Sequence, residues 1–400
     1  MRRFVRQVMA AVSVAGALLS PLSAQEKTNP KLNAQTFEAL MSKARHGNRS
    51  AQTRVGVALA RGEGTDRNAS EAVRWFTSAA AAGNPDAQYD LGVMLLAGMG
   101  VERNVGQAAV WFVKAADAGM PEAQFNAACL YRSGEGLPRN LGKALALFQE
   151  AAKHGLAYAQ TNLGRIYANG EGVARDPELA VRWFSKSAEQ GDVVGQFDLG
   201  AMYWNGAGIP RDVKKAAYWF RLAAEQGHPR AQILMGTMYA QGNGVNQDYR
   251  AASEWFLKAA QQNNAEAQNR LGILYLSGNG VAKNEAQARF WFSKAAEQGD
   301  SGAQANLALL YQTGNGVPRD FVQAYKWYEL SQQDGRHDRR RQLGELAESM
   351  SYSEVARAER EVTEWQRSHD KNLPRSVEAS LEQVQANSRC PACLLRPELP

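Results

Sequence analysis

The pair Cys390-Pro391-Ala392-Cys393 is the first candidate for chemistry in this 400-residue chain. A CxxC pair acts as a redox couple when a helix N-terminus in a βαβ unit lowers one thiol's pKa. It forms half a zinc site when two further ligands lie nearby in sequence. It closes as a local or intermolecular disulfide with neither. No βαβ pattern and no second ligand pair accompany Cys390 and Cys393, so the disulfide is the favoured of the three readings. The third cysteine, Cys129, is expected to be a semi-buried thiol.

Other motifs offer less. Ser368-His369-Asp370-Lys371 matches Ser-x-x-Lys, a nucleophile signature that needs a pocket and partner motifs, and it is expected to fall beyond the last helix. His46, His154, His228, His337 and His369 show neither zinc nor triad spacing. Gly62-x-Gly64, Gly98-x-Gly100, Gly134-x-Gly136 and their successors resemble phosphate loops. A phosphate loop follows a strand and opens a helix, whereas helical patterns flank every copy here. These glycines are expected to make helix–helix turns. Arg336, Arg339, Arg340 and Arg341 form a basic cluster that reads as a solvated face. The sequence therefore points to no catalytic residue, no cofactor and no metal.

The elements that position these residues recur with a fixed step. Gln52, Gln88, Gln124, Gln160, Gln196, Gln232, Gln268 and Gln304 stand 36 residues apart without insertion or deletion. A fixed period of this size marks a solenoid of stacked units, each touching its neighbours. Within a unit, Ala159, Leu163, Gly164 and Tyr167 share one helical face. Ala180, Trp183, Phe184, Ser187 and Ala188 form the apolar stripe of a second helix. Asn68, Asn104, Asn140, Asp176, Asp212, Asp248, Asn284 and Asp320 are placed to cap the second helices. Gly83, Gly119, Gly155, Gly191, Gly227, Gly299 and Gly335, with Asn263 as substitute, are placed to close them. One unit cannot hide its apolar face alone and is expected to be unfolded in isolation.

The ends differ from the array. Arg2, Arg3 and Arg6, the apolar run Val8–Leu19 and Leu22-Ser23-Ala24 read as an export signal (residues 1–24) cleaved near Ala24. The run is too short for a spanning helix, which needs ~20 apolar residues. Residue 25 is Gln25, not Cys, so no lipid-modified start is indicated. Without those three arginines, 43 of the 46 basic residues face 40 acidic ones. That balance gives no support for nucleic-acid binding, which calls for a basic excess. Residues 25–50 hold a linker and a capping helix built on Phe37, Leu40, Met41 and Ala44. The array covers 51–338, and capping helices fill 339–369, with Ser351-x-x-Glu354 as a capping box opening a helix through Trp365. Residues 370–400 are expected to be a disordered tail.

The residues Ala-Gln-x-x-Leu-Gly-x-x-Tyr, Gly-x-Gly, the Asn/Asp position and Ala-x-x-Trp-Phe-x-x-Ala-Ala together resemble a Sel1-like repeat protein over about residues 35–350. That family is related to the tetratricopeptide superfamily. The resemblance implies an all-α, right-handed superhelical solenoid of eight helix-turn-helix repeats with helical caps, which binds other proteins. Exported bacterial members are similar to adaptors and regulators in envelope assembly, signalling and host contact. A Cys-rich subset is linked to β-lactam binding or hydrolysis; this chain lacks the cysteine pairs of that subset. It departs from the pattern further at Leu59, Leu95, Ala127-Ala128 and Leu147.

A partner surface is expected where the regular array varies. Residues on the first helix away from its packing stripe line the concave side in related solenoids. Tyr89, Phe125, Phe197 and Ile233 stand there, with Asp90, Asn126, Asn162, Asp198, Arg270 and Asn306 beside them. Packing between successive first helices is the competing role, chiefly for Phe125 and Ile233. Trp204 alone of the nine tryptophans breaks the pattern mid-array and is expected to be exposed. Aromatics beside amides and carboxylates suit an extended or helical polypeptide. The expectation is a non-catalytic scaffold, periplasmic or secreted, that holds a partner polypeptide such as an envelope enzyme, sensor or assembly component. The rivals are an enzyme acting on β-lactams and a secreted factor that binds a host protein.

Overall fold

The computed structural model describes residues 33–332 and 340–369. Among these every regular element is a helix. Helix α1 (Ala34–Arg45) precedes eight helix pairs. These are α2 (Arg49–Arg61) with α3 (Ala69–Ala81), α4 (Pro85–Ala97) with α5 (Val105–Asp117), α6 (Pro121–Ser133) with α7 (Leu141–Lys153), and α8 (Ala157–Asn169) with α9 (Pro177–Glu189). There follow α10 (Val193–Asn205) with α11 (Val213–Glu225), α12 (Pro229–Gln241) with α13 (Tyr249–Gln261), α14 (Ala265–Ser277) with α15 (Glu285–Ala296), and α16 (Ser301–Thr313) with α17 (Phe321–Ser331). Two helices, α18 (Arg340–Glu348) and α19 (Tyr352–His369), end the described chain. The chain is thus a solenoid of paired helices. It divides into two compact units, one ending at Ala231 and one starting at Gln232.

Local chemistry sets each boundary. The eight Asn and Asp side chains before α3, α5, α7, α9, α11, α13, α15 and α17 all accept a hydrogen bond from an N–H of the first turn. Each satisfies a donor that helix geometry orphans. Past the second helices, Gly83, Gly119, Gly155, Gly191, Gly227 and Gly299 have φ of 80–92°, and Asn263 takes the same left-handed conformation at 61°. The second glycine of each Gly-x-Gly turn answers to the neighbouring unit. A Cβ on Gly100 would fall onto the Ala69 carbonyl, and one on Gly208 onto that of Pro177. The turn of one pair therefore rests against the start of the preceding second helix.

Packing within a pair follows from size complementarity. Phe76, Phe112, Phe148, Phe220 and Phe292 are fully buried. A Cβ on Gly56, Gly164 or Gly272 would stand 2.6 Å from the facing phenylalanine ring. Tryptophans of the second helices join successive pairs: Trp183 packs on the cluster around Phe148 and Leu163, and Trp219 on that around Phe184 and Leu199. The repeated glutamine explains its own invariance of position. Buried Gln160 donates to the Ala152 carbonyl (3.1 Å) and accepts from Gln190 (2.8 Å), so one amide ties three helices.

In the first unit, α1 seals the array with Phe37, Leu40, Met41 and Ala44. In the second unit, Leu343, Leu346 and Val362 complete the last core, and Trp365 meets Trp327 edge-on at 6.3 Å. Ser351 and Glu354 form the reciprocal cap of α19. That helix runs to His369, so Ser368 and His369 lie inside it rather than beyond it. Ring stacking explains the extension: His369 lies on Trp365 at 3.9 Å, and its Nε2 is 3.6 Å from Glu297 Oε2. Cys129 is fully buried rather than semi-buried. The export signal (1–24), Gly335, Arg336, His337, Arg339, Asp370, Lys371, Cys390, Cys393 and the expected disordered tail lie outside the described residues. No described helix is long and apolar enough to cross a membrane.

Candidate functional site

The first helices of the first unit carry the candidate surface. Their packing faces hold the small residues and leucines, so the second and third residues after the repeat alanine point elsewhere. Each aromatic there covers the core phenylalanine of its own pair. Tyr89 lies 5.7 Å from Phe112, Phe125 5.7 Å from Phe148, and Phe197 5.5 Å from Phe220. All three are half-buried, with one face on the core. The row continues outward through ring contacts: Tyr158 sits edge-on to Phe125 at 4.5 Å, and His228 stacks on Phe197 at 4.4 Å.

Polar side chains join the same row. Arg132 Nη1 donates to Asn162 Oδ1 (3.3 Å), while Asn162 Nδ2 donates to the Tyr158 carbonyl (2.8 Å). Arg165 lays both arms of its fork on Asp198, at 2.5 and 3.3 Å. Helices α6, α8 and α10 thus carry side chains already held in place by one another, which lowers the ordering cost of binding.

Burial and neighbouring charge shift several groups. Burial raises the Tyr89 pKa, and the charges of Asp90 and Glu122 raise it further. Tyr158 is raised by burial, then by Tyr89 and Glu122. Asp198 is raised by burial despite Arg165. His228 is lowered by burial and by Arg165 and Arg230. Its Nδ1 accepts from the Ala231 N–H (3.2 Å), the cap role that Asn and Asp play before other first helices. Burial pushes the Cys129 thiol up to about 12.

Not every expected residue reaches this surface. Asp90 is fully buried. Trp204 is half-buried rather than exposed: the Arg211 guanidinium lies 5.9 Å from its ring centroid, and Arg211 Nε donates to its carbonyl. The remaining three belong to the second unit. Ile233 is buried there in the core with Phe256 and Leu271. Arg270 pairs with Glu266 (2.8 Å), and Asn306 donates to Asn269, which in turn donates to Asp300. Sequence reading missed Tyr158, Arg165, His228, Glu122 and Arg230. His228 had a legible signal, a ring standing in the Asn/Asp cap register.

Among the described residues no group of three or more His, Cys, Asp and Glu is arranged to hold a metal. Ser368, His369 and Glu297 come close together, but Ser368 Oγ donates to the Trp365 carbonyl (2.7 Å). That bond uses the hydroxyl proton in closing the helix end. The row on α4–α10 offers half-covered aromatic faces, amides and paired charges, an arrangement suited to recognition.

The Sel1 repeat family model matches eight consecutive segments, at residues 49–84, 85–120, 121–156, 157–192, 193–228, 229–264, 265–300 and 301–331. The chain is similar to a protective antigen present in uropathogenic Escherichia coli strains that displays an SLR fold. The two are 32% identical, with a TM-score of 0.76, over 92% of this chain and 77% of that one. It is also similar to a Sel1 repeat protein from Oxalobacter formigenes, 31% identical with a TM-score of 0.61, over 80% of this chain and 95% of that one. No curated protein matches it.

Proposed function

This chain belongs to the Sel1 repeat family, and on that premise we propose that it is a non-catalytic scaffold that holds a partner polypeptide on the first-helix side of its first unit. Sel1 solenoids are in general protein-interaction scaffolds. The observation that carries the finer reading is the set Tyr89, Phe125, Tyr158, Phe197 and His228 along the first-helix side, whose rings meet one another or the core and none of which is fully buried. Aromatic anchors of this kind dominate binding energy at interfaces. The N-terminal pattern of arginines and apolar residues supports export to the periplasm, where the partner would be an envelope enzyme, sensor or assembly component.

Replacing Tyr89, Phe197 and Trp204 by Ala tests this. Partner capture by an in-cell crosslinking residue at Trp204 is expected to be lost in Tyr89→Ala/Phe197→Ala while helix content stays intact. Capture that survives sinks the reading.

A second reading is a secreted factor that binds a host protein. The likeness to a protective antigen of uropathogenic strains favours it. Fractionating the producing cell separates the two: the protein in the medium rather than the periplasm supports the second.

A further inference from the structure

Resting on that scaffold reading, we propose that the partner segment is charge-polar. A cationic side chain, ammonium or guanidinium, seats among the aromatics and carboxylates of α4, α6 and α8. An acidic side chain follows at α10 and α12.

The first end is an aromatic and acidic cluster. Tyr158 is exposed, and its ring stands edge-on to Phe125. Glu122 precedes Phe125 and Asn126 by three and four residues on α6, so the three share one side of that helix. The Glu122 charge acts on both Tyr89 and Tyr158. Asp86, exposed at the start of α4, adds a second carboxylate. Ring faces beside a carboxylate attract a cation, by ~0.5–2 kcal/mol for the ring alone.

The other end has the opposite sign. Arg230 is exposed at the start of α12, with its guanidinium 5.9 Å from the Phe197 ring centroid. Arg165 lies on the Asp198 carboxylate nearby. His228 stacks on Phe197 and is shifted down by burial, then by Arg165 and Arg230. An Asp or Glu of the partner would meet the exposed Arg230 guanidinium beside an aromatic platform. Arg132, at the far end of α6, is turned to Asn162 and belongs to neither end.

The helix spacing sets the scale. Three steps separate α6 from α12, and packed helices lie ~9 Å apart, giving ~27 Å. An extended chain advances ~3.3 Å per residue, so about eight residues separate the basic and the acidic side chain. Complementary charges of this kind fix direction and register more than they add affinity.

A displayed library of random 12-residue peptides, panned on purified residues 25–400, tests the proposal. The enriched peptides are expected to carry Lys or Arg and Asp or Glu about eight residues apart, in one order along the chain. A synthetic peptide of the enriched sequence should bind five- to tenfold more weakly to Glu122→Gln and to Arg230→Ala, and equally well to Glu225→Gln on α11. Circular dichroism of each variant should match the parent. Enrichment without that order, or binding unchanged in Glu122→Gln and Arg230→Ala, overturns the charge-polar partner alone. No enrichment that depends on Tyr89 and Phe197 overturns the scaffold reading with it.

Discussion

Arg165 on α8 and Asp198 on α10 form a two-armed ion pair between successive first helices, 33 residues apart in sequence. Asp198 is mostly covered and Arg165 is 41% exposed, so solvent screens the pair in part. Arg165→Met is expected to cost about 1 kcal/mol by urea denaturation, below the 3–5 kcal/mol of a fully buried broken pair. Asp198 also has its folded pKa raised. For an acid that means a stabilising contribution present at low pH and lost as pH rises through the folded value. In Asp198→Asn that slope should vanish.

Gly164 faces Phe184 so closely that a methyl group would stand 2.6 Å from the ring. Gly164→Ala is expected to lower stability by about 1–3 kcal/mol through overpacking. Ala128 occupies the same register and is fully buried in one cluster with Phe148, so the third pair accommodates the extra carbon. Ala128→Gly should therefore not stabilise. Thermal melts of the two variants check both signs.

His228 accepts a hydrogen bond at Nδ1 and is shifted below 6.5 by burial and two arginines. Protonation removes that acceptor. Its contribution is present above the unfolded pKa of about 6.5 and is lost as pH falls. Urea midpoints measured from pH 8 to 5 should fall in the parent. They should fall less in His228→Asn, which keeps the cap without the titration. An equal fall in both would contradict the assignment.

Cys129 is buried and its thiol is pushed up to about 12. Thiolate, not thiol, attacks disulfide reagents. In a Cys390→Ser/Cys393→Ser background the native protein at pH 8 should react with a chromogenic disulfide at least a hundredfold more slowly than the urea-unfolded chain. Fast native labelling would show that α6 opens locally.

The helix pairs were legible because their signals are local. Asn68 or Asp176 caps its own helix, and Gly83 turns its own chain, whatever the next repeat contains. The candidate surface was less legible because exposure at one repeat depends on its neighbours. Asp90 and Asn126 share a register position, yet Asp90 is buried and Asn126 half-covered. Trp204 is screened by Arg211, seven residues on in the following turn, an arginine whose donation to a helix-end carbonyl recurs at Arg103, Arg139 and Arg175. His228 was hidden because a lone histidine carries no motif. Only its place in the capping register distinguishes it from His154.

The second glycine of each turn has a consequence for how such a chain can change length. Where Gly100 abuts the Ala69 carbonyl and Gly208 that of Pro177, the seam is main chain against main chain and indifferent to the side chains on either side. A gene that gains or loses a whole 36-residue module preserves every such seam, whereas one that gains five residues breaks the nearest. Lineages can therefore lengthen or trim the array by whole modules through unequal crossing-over.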